Sequence, residues 1–418
     1  MNESPITTAE LDRYRYLPWV MMILGGLGCL IGGLTEPVQF GFSYLLAYMF
    51  FLSVCLGSLF LVMMHHLFDA GWSVPMRRFL EHLAFLLPVM AILFIPIAIL
   101  APQLYPWMNP ALQAHPDHSL HAKQALFNKQ TWYIAAGVIF VIWAILSWRL
   151  RHWSLQQDQS GAARCTYKMR FYSAWGIFAF AFTLTAAAIL WVKALQYQWY
   201  STMYGVYYFA GSVWVALATA YVITVILDRL NLIHDVLHEH QYYFTGSLLL
   251  AFTVFYAYIH FSQYFIIWNG NMPEETFWYV ARERGTWWDI GLIIIFGHFF
   301  VPFLALLRID VKNSFAFMVP LCAWAWLMHW FDMAFNIIPV RHPNGFELHW
   351  LDLAALAFLG GVLAKVFLFY FNRHAPFPIK DPRLNEAMGH RHPVPTQISG
   401  GELDEVDEDA EGLTDNPM

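Results

Sequence analysis

Residues 205–227 read GVYYFAGSVWVALATAYVITVIL, 23 positions with no Asp, Glu, Lys, Arg or His among them. A helix of about 20 apolar residues reaches across the hydrocarbon core of a bilayer, where each backbone N–H and C=O must be satisfied within the helix itself. Uncharged stretches of similar length recur on both sides of this one. Scored by length and absence of charge, they place ten spans near residues 18–34, 42–65, 82–101, 132–150, 171–192, 205–227, 245–268, 287–307, 314–337 and 350–372. Composition agrees: the 418 residues are 59% hydrophobic, 18% aromatic and only 12% charged, with a mean hydropathy of +0.46, where a soluble domain carries about a quarter charged residues. The chain therefore reads as an all-α integral membrane protein of about ten transmembrane helices. This excludes a nucleic-acid binder, a secreted disulfide scaffold and a water-soluble enzyme.

The spans divide the chain into an N-terminal segment (1–17), a membrane bundle (18–372) and a C-terminal tail (373–418). An even span count puts both termini on one face. Sixteen Lys and Arg residues fall on that face and six on the other, so the positive-inside rule predicts both termini in the cytoplasm. Residues Ser399 to Met418 hold eight of the 29 acids and no Lys or Arg; the tail is expected to be a largely disordered, solvated acidic extension. Cys29, Cys55, Cys165 and Cys322 stand singly, without CxxC or CxxCH spacing, which predicts no covalent haem, iron–sulfur cluster or disulfide framework. The opening MNESPITTAELDRYRYLPW has no basic region ahead of an apolar core and no small-residue cleavage site; no signal peptide is predicted.

Pro88, Pro96, Pro302 and Pro320 fall inside spans and are expected to kink them, opening small cavities. Gly28 and Gly32 stand at GxxxG spacing in the first span, and Gly360 and Gly361 are adjacent in the last. Close helix packing is the expected use of these glycines. The segments 102–131 and 269–286, rich in Trp, Tyr, His and Pro, read as an ordered cap.

Ionisable side chains at bilayer depth are costly, so each is a functional candidate. His260, Asp289, His298, His329, Asp332 and Asp352 come from the last four spans. His329 and Asp332 are three apart on one helix and share a face, so they can share a proton or a hydrogen bond. At the other face lie His65, Asp69, Glu81 and Asp228, with Lys365 in the last span; these read as the mouth of a proton path or as interfacial groups. An imidazole beside a carboxylate can accept a proton and pass it on.

No two of His260, His298 and His329 share a helix, whereas a two-haem cytochrome b carries paired histidines on each of two helices. The run His115, Pro116, Asp117, His118, Ser119, Leu120, His121 has ligand types at helical spacing but lacks a fourth ligand and an enclosing shell. The expectation is that the chain binds no haem, flavin or metal of its own.

Two stretches go further. Residues 62–97, VMMHHLFDAGWSVPMRRFLEHLAFLLPVMAILFIPI, followed by LYPW, resemble the second and third spans of the ActF membrane anchor of alternative complex III, a protein of polysulfide-reductase (NrfD) type. Residues 257–288, AYIHFSQYFIIWNGNMPEETFWYVARERGTWW, with HFFVPFLALLRIDVKN after them, resemble its seventh and eighth spans; QWYSTMYG at 198–205 is a shorter likeness. The matches are spread between about Val38 and Pro339. Where related chains carry acids ahead of WYSTMYG, this one has Leu190 and Gln196 with Lys193 between, which argues against an acid-mediated role at that corner.

The resemblance implies two four-helix bundles plus two peripheral helices in a bacterial cytoplasmic membrane. It also implies a complex that oxidises menaquinol or ubiquinol and reduces a cytochrome c or a terminal oxidase. The implied partners are a homologous quinol-binding membrane subunit, multihaem and monohaem cytochrome c subunits, an iron–sulfur subunit and membrane lipids, with menaquinone or ubiquinone the only implied cofactor. Within such a complex the chain would supply a proton path or a quinol-side pocket, or serve as a structural scaffold without a catalytic centre. A secondary transporter would need a matched pair of Gly/Pro-interrupted helices, which the spans lack.

Overall fold

The computed structural model describes residues 16–389; residues 1–15 and 390–418, with the acidic stretch from Ser399 onward, lie outside the described residues. The described residues are 83% helical, and no strand occurs among them. In chain order the main helices are α1 (Leu17–Thr35), α2 (Pro37–Phe68), α3 (Val74–Ala84), α4 (Leu87–Leu93), α5 (Ile95–Leu104), α6 (Lys129–Ser160) and α7 (Ala163–Ala187). They continue with α8 (Tyr204–Arg229), α9 (Glu239–Gly270), α10 (Pro273–Arg282), α11 (Trp287–Ile293), α12 (Val301–Leu306), α13 (Phe315–Ile337) and α14 (Trp350–Phe371). Among the described residues, eight helices are long and apolar enough to cross a membrane, nine if the bent pair Gly71–Leu93 and Ile95–Leu104 is one span. This is a multi-pass membrane protein. Helix α13 is of span length at 23 residues but falls outside that count, because His329, Asp332 and Asn336 lower its hydropathy.

The prolines act where helices restart. Pro88 and Pro96 occupy the first turns of α4 and α5, and the chain bends by 54° between them. Proline is tolerated in a first turn because its missing N–H would have no intrahelical partner there. Pro302 opens α12 directly after a π-helical stretch, Ile294–Phe300. In π register, residue 302 would donate to the carbonyl of Gly297, which proline cannot do. That carbonyl instead takes the Trp324 indole N–H at 2.8 Å. Pro320, by contrast, lies inside α13 without interrupting it.

The glycines pack helices. A Cβ on Gly25 would fall 2.3 Å from the backbone nitrogen of Phe358, and one on Gly361 2.6 Å from that of Met22. Helices α1 and α14 therefore meet backbone to backbone, and α14 in turn lies on α2. Helix α2 also packs on α3, α7, α8 and α13. It is the central strut, and its residues are mostly buried.

Residues 373–389, assigned to the tail on sequence grounds, fold back onto the bundle. Asp381 pairs with Arg77, Arg383 reaches Asp69 at 2.8 Å, and Gln241 donates to the Ala387 carbonyl at 2.9 Å. The two loops read as a cap pack through aromatic rings: Trp107 stacks on Phe127 at 5.4 Å within 102–131, and 269–286 packs on the segment ahead of α8. Trp199 lies 4.4 Å from Trp278, nearly parallel, and its indole donates to Glu275 O at 3.1 Å.

Candidate functional site

Three elements bring four residues together: His260 on α9, His298 on the π-helical stretch between α11 and α12, and His329 and Asp332 on α13. Asp332, on α13, is fully buried, and its Oδ1 accepts two phenol hydroxyls: Tyr207 of α8, and Tyr256 of α9 at 2.7 Å. Asn336, one turn along, donates to the Tyr207 hydroxyl at 2.9 Å and accepts from Tyr204 at 3.0 Å. The sequence reading allows a direct His329–Asp332 hydrogen bond. The structure gives each residue different partners: His329 Nε2 meets Ser53, and Asp332 Oδ1 takes the two tyrosines.

The tautomer of His329 follows from counting hydrogens. Ser53 has one hydroxyl hydrogen, and its Oγ lies 2.6 Å from the Phe50 carbonyl. The 2.7 Å contact between Ser53 Oγ and His329 Nε2 is then an N–H donating to the serine. His329 Nδ1 is left with its lone pair and no partner. His298 is clamped between two rings, Trp214 and Tyr256, each with its centroid 3.8 Å away. Both of its nitrogens are buried without a partner, as is Asp332 Oδ2. The π-helical turn carries His298 into this position, a backbone irregularity of a kind found often at functional sites.

Buried polar atoms are almost always hydrogen-bonded. Here the ligand atoms of His298, His329 and Asp332 lie within 4.8 Å of one another, and each residue has at least one buried atom without a partner. Side chains this close can pass a proton through a water that several polar groups hold. As a metal site the group offers two imidazoles and one carboxylate, the donor count of an open site. A dication against a single carboxylate would leave net positive charge inside the membrane, which is costly.

His260 stands beside this group, stacked on Tyr256 at 5.8 Å, and faces a cavity of about 500 Å³. Tyr256, Tyr279 and Arg282 also line the cavity, and Phe261 and Phe300 stand among its apolar walls. Arg282 is fully buried and donates to the carbonyls of Phe335, Trp278 and Asn336 and to Gln196 Oε1.

Of the remaining candidates, Asp352 is buried but acts as a helix cap, accepting from His349 N–H at 3.0 Å. Asp289 is exposed in the first turn of α11. Lys365 lies over the Trp19 ring at 4.9 Å. His65 and Glu81 belong to a second cluster, at the opposite end of α2. There Arg77 pairs with Glu81 at 3.1 Å and with Asp381, and Arg78 pairs with Glu81 at 3.0 Å and with Asp158. Arg77 also donates to His65 Nε2 at 3.2 Å. Asp69 caps α2 in the left-handed region (φ 51°) and pairs with Arg170. From Ser53 to His65 is twelve residues along α2, about 18 Å.

The His115–His121 run is structural at its acidic member. Asp117 caps a short helix, accepting from Leu120 N–H at 2.7 Å and from the Tyr197 hydroxyl at 2.8 Å. Burial pushes its carboxyl up, but these bonds, with Gln198 and the Lys123 charge, outweigh that and hold it below its ordinary value.

The tyrosines, Asn336, Ser53 and Arg282 are the residues of this candidate site that a search for ionisable groups within spans passes over. Tyrosine, asparagine and serine are uncharged, and Arg282 sits in a loop on the sequence reading. Their signal was polar side chains recurring within spans and beside candidate ions. Compared with known proteins, the chain matches no family model and no curated protein.

Proposed function

We propose that this chain is a membrane subunit of a bacterial quinol-oxidising respiratory complex and that it handles protons at the His298–His329–Asp332 centre. The observation that carries the reading is that one ligand atom from each of the three residues lies within 4.8 Å of the others, and that each residue also has a buried atom without a hydrogen-bond partner. Ionisable groups held so deep in a membrane bundle are functional candidates by default, and proton relays are one of their main uses. The likeness to the ActF anchor of alternative complex III supports the complex and its partners. Those are a homologous quinol-binding membrane subunit, haem c subunits and an iron–sulfur subunit that takes the electrons.

In this reading α13 and the bent α3–α5 segment are spans, which brings the count to ten: two four-helix bundles flanked by α1 and α14, both termini cytoplasmic. Quinol oxidation frees two protons and two electrons; the electrons leave through the partner subunits. Protons enter or leave the centre by Tyr207, Asn336 and Tyr204 at one end. At the other, the His65–Arg77–Glu81 cluster forms the opposite mouth, with an apolar stretch of α2 between them.

A second reading is favoured by one feature: Asp332 joins α8, α9 and α13 through two tyrosines, the arrangement of a structural pin. The complex itself is tested by purifying the tagged full-length chain from its native membrane in mild detergent. Co-elution of c-type cytochrome, an iron–sulfur polypeptide and quinol:cytochrome c reductase activity is expected. A chain that elutes without any of them refutes the assignment.

A further inference from the structure

Arg282 is a buried cation with no carboxylate partner among the described residues. Its guanidinium carbon lies 3.5 Å from the Trp278 ring centroid. Four of its hydrogen bonds go to neutral oxygens, which leaves one of its five N–H donors over. It lines the 500 Å³ cavity between α9, α10 and the α11–α12 segment. Two further polar groups face the same space. Tyr279 accepts from Gln263 Nε2 at 3.0 Å, so its own hydroxyl hydrogen is free. His260 makes no hydrogen bond to a described residue.

The rest of the wall is apolar, and it runs outward to side chains that face lipid: Phe261 is 63% exposed and Ile295 44%. The cavity thus has a polar inner end and an apolar mouth in the bilayer, within the size range of small-molecule sites.

We propose that this cavity binds the oxygen-bearing head of a membrane amphiphile. The head oxygen accepts from Arg282, Tyr279 and His260, and the chain leaves past Phe261 and Ile295 into lipid. The chemistry is shared by an isoprenoid quinone, through its ring carbonyl, and a phospholipid, through its phosphate. No electron transfer at this position is implied, and the proposal does not depend on the proton relay.

Gly291 permits a test that leaves Arg282 in place. A Cβ there meets only the Phe335 ring, at 3.7 Å, so Gly291→Leu adds bulk to the cavity wall without displacing backbone. The full-length parent, Gly291→Leu and Arg282→Gln are purified with whatever subunits accompany them, and solvent extracts are quantified by mass spectrometry for quinones and phospholipids. The parent is expected to hold one amphiphile per chain more than Gly291→Leu, with retention in Arg282→Gln about tenfold weaker. The species lost tells quinone from phospholipid. Equal quinone and phospholipid content in the parent and Gly291→Leu overturns the proposal. If Arg282→Gln fails to accumulate, the Gly291→Leu comparison decides alone.

Discussion

The Tyr256 hydroxyl donates to Asp332 Oδ1 at 2.7 Å while its ring forms part of the wall of the lipid-facing cavity. One side chain therefore separates a buried carboxylate from a space that opens toward the bilayer. The same ring clamps His298 from one side. Tyr256 thus orients two of the three groups at the proposed proton centre.

Tyr256→Phe keeps the ring clamp and removes one hydrogen bond to the buried carboxylate. A bond of that kind contributes about 1.5–3 kcal/mol, so a lower thermal unfolding midpoint in detergent is expected. Tyr207→Phe should be more damaging, because Asn336 also loses one of its two acceptors and keeps only the Asp332 carbonyl. Equal stability of Tyr256→Phe and the parent would mean that the carboxylate does not rely on this hydroxyl.

The loop capped by Asp117 should respond to acid. Its carboxyl is held below the ordinary value of 3.8, so the folded state favours the charged form. The stabilisation is complete above 3.8 and is lost as pH falls through the lower folded value. Protection factors in residues 115–125, exchange rates corrected for the intrinsic rate at each pH, are expected to fall once the pH drops below about 4. Asp117→Asn should exchange faster already at pH 7.

Much of the fold was legible in the sequence because lipid imposes a simple demand. A span such as 205–227 needs length and no charge, and helix α8 stands there. The GxxxG glycines and the span prolines likewise have one main physical use each, and Pro88, Pro96 and Pro302 stand where helices restart. The site was legible only at its ions. His329 and Asp332 were conspicuous as charges in a span, but their partners Ser53, Tyr207 and Tyr256 come from other helices, and no spacing rule links residues 53, 207, 256 and 329. Arg77 and Arg78 illustrate the converse. As sequence they count as interfacial positive charges; in the fold they are fully buried and paired with Glu81, Asp158 and Asp381. Asp158 and Asp381 are too distant in sequence for the pairing to be foreseen.

Two charged residues that look alike as sequence should behave differently when neutralised. Glu81→Gln leaves two buried guanidinium groups short of a carboxylate and is expected to cost about 3–5 kcal/mol, seen as poor accumulation or early unfolding. Lys365→Gln removes only a half-buried cation over Trp19 and should be worth less than about 1 kcal/mol. Comparable stability of the two variants would contradict the buried network.

The α1–α14 contact gives a steric test. Gly25→Val would force a side chain against the Phe358 backbone and is expected to destabilise by about 1–3 kcal/mol or more. Gly137→Ala, where an added Cβ meets nothing within 4 Å inside helix α6, should leave the unfolding midpoint unchanged or raise it slightly, because Ala is the better helix former. A tolerated Gly25→Val would show that α1 is not packed on α14 as described.

The proton centre is tested most directly by the ratio of protons moved to quinol oxidised, read with a pH-sensitive dye in proteoliposomes containing the purified complex. His329→Gln combined with Asp332→Asn keeps polar side chains of similar shape and removes the titrating groups. The double variant is predicted to assemble with its partner subunits and to lose proton movement relative to the parent. A double variant that assembles, oxidises quinol and moves protons at the parental rate and ratio would contradict the relay and leave the His329–Asp332 pair as a structural pin.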